Sequence, residues 1–120
     1  MTKAANPIER YGVTRRWSDA VVHKDTVYFV EVPHDSSLDP KSQFRMVMKQ
    51  IDERLAQVGS DRTRLLQVMI YLPNPADLSD FNELWDNWIP NGHAPSRACV
   101  HTQLAATGYC VELVVTAAIG

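Results

Sequence analysis

Five apolar residues, Phe44, Met48, Ile51, Leu55 and Val58, recur at spacings of four, three, four and three. That repeat lays side chains along one face of an α-helix. Asp39-Pro40 supplies an N-cap followed by proline at the first helical position, and Gly59 stands where a left-handed C-terminal cap belongs. A helix is therefore predicted over 40–58. Its other face carries Lys41, Lys49, Asp52, Glu53 and Gln57 and reads as solvated. A helix with one apolar stripe must bury that stripe against something, and the rest of the chain says what.

Leu78, Phe81, Trp85 and Trp88 make a second stripe, at spacings of three, four and three, on a helix of about 76–88 that begins after Asn74-Pro75 and ends at Pro90, Asn91 and Gly92. The remaining apolar segments are too short for helices and read as strands. Thr26–Val32 is β-branched and aromatic, and Arg15–Val22 precedes it across a Lys24-Asp25 turn. Leu65–Leu72 is a near-continuous apolar run, and strands follow at about 97–103 and 110–119. Residues 1–10 read as a loose N-terminal arm. The predicted order is ββαβαββ: an α+β fold, a mixed sheet with two helices packed on one face. Val21, Val27, Phe29 and the C-terminal strand leave apolar surface for the other face, and self-association is the expected cover.

The 120 residues suit one domain, 1–120, with a formal net charge of -2. Arg15-Arg16 and Lys41–Lys49 are the densest basic stretches, and both are interrupted. That argues against nucleic acid, whose binding needs a basic footprint on one face. No apolar run approaches the ~20 residues of a membrane span, and the first ten residues lack the apolar core of a signal peptide. Cys99 and Cys110 are then free thiols in a cytoplasmic protein. His23, His34, His93 and His101 show no metal-ligand spacing, so no metal is expected.

The chemistry concentrates near the C-terminus. Arg97 follows Pro95-Ser96 at the start of one strand, and Glu112 lies inside the apolar strand Cys110–Ile119. A carboxylate in a buried strand costs several kcal/mol unless a cation or water answers it. The guanidinium suits a partner carboxylate and a small organic acid equally well. Arg97 and Glu112 are thus either a cross-strand ion pair or the lining of a site. A simple hairpin would pair Arg97 with Glu112 and Cys99 with Cys110. Cys99 as a nucleophile would need a base, for which His101 is the nearest candidate; a structural role is the alternative.

Three motifs carry a resemblance: Pro95-Ser96-Arg97-Ala98-Cys99-Val100 with Leu104 and Val111-Glu112-Leu113; Asp77–Trp85; and Trp17-Ser18-Asp19-Ala20-Val21 ahead of Val27-Tyr28-Phe29. In this order and spacing the chain resembles the RidA (YjgF/YER057c/UK114) family over essentially its whole length, as a divergent bacterial branch. The resemblance implies a chorismate-mutase-like fold, a homotrimer with sites in the clefts between subunits, and a strand order that separates the two C-terminal strands. It also implies cofactor-free hydrolysis of reactive 2-imino and 2-enamino acids to 2-oxo acids and ammonia. By the resemblance, Arg97 grips the substrate carboxylate, Glu112 positions water, Cys99 contributes mainly its backbone, Trp17 closes the cleft and Asn82 supports the Arg97 strand. Typical members end the first hairpin in a Ser-Gly-Gln segment where the matching stretch of this chain is Phe29-Val30-Glu31-Val32-Pro33, which removes a hydroxyl, replaces a Gly with a bulkier residue and adds a carboxylate. For Glu31 itself the residues leave two readings, a solvated strand end or a pocket wall.

Three functions follow as expectations: an imine deaminase, a small-carboxylate binding protein that turns nothing over, and, from the endoribonuclease label of some relatives, RNA cleavage. The absent basic stripe speaks against the last.

Overall fold

A computed structural model describes residues 7–120. Its elements are β1 (Ile8–Tyr11), β2 (Ala20–His23), β3 (Thr26–Glu31), α1 (Pro40–Gln57), β4 (Leu65–Tyr71), α2 (Leu78–Trp88), β5 (Ser96–Val100) and β6 (Glu112–Ala118). The six strands form one sheet in the order β1-β2-β3-β6-β4-β5, with β4 and β5 parallel and every other pair antiparallel. This is the mixed α+β, chorismate-mutase-like architecture expected, with one strand more.

That extra strand corrects the loose arm read over 1–10. Residues 8–11 pair with β2, while residues 1–6 lie outside the described residues. The strand placed over 15–22 shortens to β2, because Thr14 closes a turn on Trp17: the Thr14 N–H donates to the Trp17 carbonyl at 2.7 Å, and the Trp17 N–H donates to Thr14 Oγ1 at 3.1 Å. Gly12, at φ 60°, makes the connection possible, since a Cβ there would collide with the Asp19 carboxylate. Of the C-terminal strands, β5 starts one residue before its expected range of 97–103 and ends three short of it, and β6 lies inside 110–119.

α1 forms as its caps dictate. Asp39 accepts from the Ser42 N–H at 3.2 Å and from its hydroxyl at 2.6 Å, and Gly59 takes φ 75° just past the last turn. Phe44, Met48, Ile51 and Leu55 are buried against the sheet, with Phe81, Trp85 and Trp88 of α2 beside them. Alternation along β6 then assigns the faces: Leu113, Val115 and Ala117 are buried under the helices, whereas Glu112, Val114, Thr116 and Ala118 face the other way. Val27 and Phe29, expected to lie on the uncovered face, point instead into this core. The open face is built from Val21, Tyr28, Val30 and Val114, and Tyr28 and Val30 are about half exposed.

Asp52, read as merely solvated, is a tertiary tie. Arg62 holds it with two bonds of 2.7 and 3.0 Å, and the Trp88 indole N–H donates to it at 3.2 Å. No helix of the described residues is long and apolar enough to cross a membrane.

Candidate functional site

The expected site residues fall into two groups, one under α2 and one at the end of the sheet, where Glu31 lies on the helix face and Val30 and Glu112 on the other. β4 separates the strands that carry them: Val68 of β4 pairs with Arg97 on one side and Val115 on the other, while Tyr71 pairs with Glu112. Two inter-strand spacings and a three-residue offset put Arg97 and Glu112 on the order of 14 Å apart along the backbone. Since Val115 is on the helix face and Glu112 is not, the two side chains also point to opposite sides. The cross-strand ion pair is therefore excluded, and so is the Cys99–Cys110 hairpin pairing; both cysteines are free thiols.

The first group sits under α2. The Arg97 guanidinium lies 5.0 Å over the Trp85 ring and 5.9 Å from that of Phe81. Its Nη2 donates to Asn82 Oδ1 at 2.6 Å. Asn82 is thus neither a free surface residue nor a lone support; it is the polar member of a clamp whose other members are aromatic faces, attractive to a cation. Among the described residues Arg97 has no carboxylate partner, unlike Lys41, Arg54 and Arg62. Its charge is held in place without being neutralised. Cys99, two residues on, packs against the core, and burial raises its thiol pKa above the usual value while Arg97 opposes this more weakly. His101 does not serve it: the His101 ring meets the Leu72 carbonyl at 3.1 Å.

The second group lines a cavity of about 770 Å³ at the end of the sheet. Trp17, Val30, Glu31 and Glu112 all reach it, joined by Arg54 of α1 and Tyr109 of the β5–β6 loop. Trp17 is 61% exposed at its rim. Glu112 makes no salt bridge among the described residues. Glu31 does not end in solvent: it is 6% exposed, accepts from Gln50 Nε2 at 3.0 Å, and lies 3.5 Å from Arg54 Nε. The Arg54 Nε proton is buried and has no hydrogen-bond acceptor among the described residues.

Sequence reasoning missed Gln43, Gln50 and Arg54. Gln43 is fully buried and pins the cavity loop to α1, donating to the Gly108 carbonyl at 2.9 Å and accepting from the Cys110 N–H at 2.8 Å. A signal existed. Positions 43, 47, 50 and 54 run at helical spacing beside the apolar stripe 44, 48, 51 and 55, so two glutamines and an arginine flank a buried face. Among the described residues, no group of three or more His, Cys, Asp or Glu side chains is arranged to hold a metal ion.

Residues 7–119 match the model of the family described as Endoribonuclease L-PSP. The chain belongs to this family. It is 39% identical over 113 residues to a RutC family protein of Haemophilus ducreyi, covering 93% of this chain and 97% of that one. To the RutC family protein YoaB of Escherichia coli it is 36% identical, covering 93% and 98%. The crystal structure of a YjgF family protein from Neisseria meningitidis superposes with a TM-score of 0.89 at 35% identity, covering 95% of this chain and 96% of that one.

Proposed function

We propose that this L-PSP/YjgF-family protein hydrolyses reactive 2-imino and 2-enamino acids to 2-oxo acids and ammonia, at sites shared between copies of the chain in a homotrimer. The observation that carries the proposal is the Arg97 clamp, a cation pre-oriented by Asn82 and Trp85 with no acid to neutralise it among the described residues. A substrate carboxylate is its natural complement. Because Arg97 and Glu112 face opposite sides of one sheet, a single ligand meets both only when Arg97 comes from a neighbouring copy. The uncovered face with Tyr28 and Val30 gives such a neighbour a surface.

The chemistry asks little of the protein. A protonated imine carbon is already electrophilic. Arg97 fixes the carboxylate, Trp17 closes the rim, and Glu112 accepts a hydrogen bond from water and directs its oxygen to C2. The C–O bond forms while the water proton passes to Glu112. That proton then moves to nitrogen, and the C–N bond breaks as the hydroxyl proton passes to Glu112. Glu112 returns it to the departing ammonia, leaving a 2-oxo acid. An enamino acid first takes a proton at C3 to become the imine. No cofactor takes part in this scheme.

The test couples the protein to an amino-acid oxidase that releases imino acids and follows 2-oxo acid formation. Acceleration over buffer is expected; its absence across several side chains sinks the proposal. A second reading, a small-carboxylate binding protein, is motivated by Val30-Glu31 in place of the small polar residues of typical members. Saturable binding of 2-oxobutanoate without hydrolysis of any imine would establish it. RNA cleavage fits the cavity poorly, since Asp19, Glu31 and Glu112 would face the phosphates.

A further inference from the structure

Glu31 is a buried ionisable group that the hydrolysis does not use, and it stands between two spaces. The 770 Å³ cavity lies on one side; a pocket of about 230 Å³ lined by Gln50, Glu53 and Gln57 lies on the other, and Glu31, His34 and Arg54 border both. The wall is built rather than incidental. Gln50 Nε2 ties Glu31 to the Val32 carbonyl at 2.8 Å, and Gln50 Oε1 accepts from the His34 N–H at 2.9 Å. Arg54 reaches back from α1 to Glu31 and, through Nη1, to Gln57 at 2.7 Å.

We infer that the Glu31–Arg54 pair forms the side-chain subsite of the proposed active site and selects 2-imino acids with a neutral, hydrogen-bonding side chain, such as a carboxamide. The inference rests on the deaminase reading of the cavity. The physical reason is the pair's balance. It offers a carboxylate acceptor and guanidinium donors side by side with no net charge, so a charged side chain drawn to one member is repelled by the other and gains little, whereas a carboxamide can donate to Glu31 and accept from Arg54. A hydrocarbon side chain would strip water from the pair and return no hydrogen bond, the loss that a site built for polar recognition imposes on an apolar isostere.

The experiment uses three imino acids of similar size, derived from asparagine, leucine and aspartate, and the full-length protein. Hydrolysis is expected to favour the asparagine-derived imine in kcat/KM by roughly tenfold over the other two. The double variant Glu31→Ala/Arg54→Leu removes both charges together, so neither is stranded, and should level the asparagine and leucine substrates while leaving the protein folded. Equal rates with the unaltered protein, or an unchanged ranking in a folded double variant, would overturn the subsite. Calorimetry with the corresponding 2-oxo acids separates the two readings: tighter binding of the carboxamide acid without any hydrolysis would retain the subsite and discard the deaminase. No preference in either assay discards the subsite alone when imines are still turned over.

Discussion

Arg97 and Arg54 are the same side chain in two electrostatic settings. Arg54 is met by a buried carboxylate, Glu31, 3.5 Å away. Arg97 is met by an amide oxygen and two aromatic rings. The first arrangement neutralises a charge, and its worth is structural, because stranding one member is costly. The second keeps the charge available, since ring faces and an amide hold a guanidinium without cancelling it. On the proposed reading, the difference assigns the ligand acid to Arg97 and a wall of the cavity to Arg54.

The comparison breaks most visibly at Arg97. Arg97→Ala should lower kcat/KM for imino acids by about a hundredfold or more, through loss of substrate orientation, while thermal unfolding stays close to that of the unaltered protein. An unaffected rate refutes the carboxylate grip. A sharper form tests the shared site. Arg97→Ala and Glu112→Gln are each expected to be inactive alone, yet hybrids made by co-expressing the two should recover activity in roughly a quarter of their sites under random mixing, because each intact site draws the two residues from different chains. Hybrids as inactive as their parents would show that one chain supplies both residues.

At Arg54 the expected effect is on stability. Glu31→Ala leaves a guanidinium that is 21% exposed without its counter-charge and should cost about 2–4 kcal/mol in denaturant unfolding, less than for a fully buried pair because water reaches it. Adding Arg54→Leu should restore part of that loss. A double variant no more stable than Glu31→Ala would mean that Glu31 acts through Gln50 instead.

How much of this was legible in the sequence follows from how each feature is encoded. The stripe Phe44-Met48-Ile51-Leu55 and its Asp39 and Gly59 caps are local and periodic, and they fold as read. β1 escaped because an edge strand with Ile8 half exposed and Glu9 and Arg10 in solvent has no burial alternation to betray it. Glu31 reads locally as a strand end because its partners, Gln50 and Arg54, lie nineteen and twenty-three positions away, on a helix. The Arg97–Glu112 spacing suggests a hairpin, whereas the insertion of β4 separates the two strands and a three-residue offset in register turns the side chains to opposite faces. Motif order conveyed the family.

The clamp around Arg97 allows a finer test. Asn82→Leu removes the side-chain hydrogen bond that the guanidinium makes among the described residues and should raise KM by about tenfold with kcat less affected, the signature of a guanidinium that still binds but is poorly aimed. Trp85→Phe keeps an aromatic face beneath the cation and should move KM only a few-fold. A kcat loss larger than the KM rise in either variant would mean that the clamp acts on the chemical step.

The smallest effect belongs to Cys99, although it lies two residues from Arg97 on the same strand face. Burial raises its thiol pKa, so at neutral pH it is a protonated, poorly nucleophilic group. His101, the only base the sequence offered it, is engaged with the Leu72 carbonyl. Cys99→Ser should therefore change imine hydrolysis by no more than about twofold, and the rate should show no inflection from thiol ionisation between pH 6 and 8, about the range where an activated thiol would titrate. A collapse of activity in Cys99→Ser, with thermal unfolding unchanged, would move the chemistry from the Glu112 cavity to the Arg97 strand and reverse the assignment of the two regions.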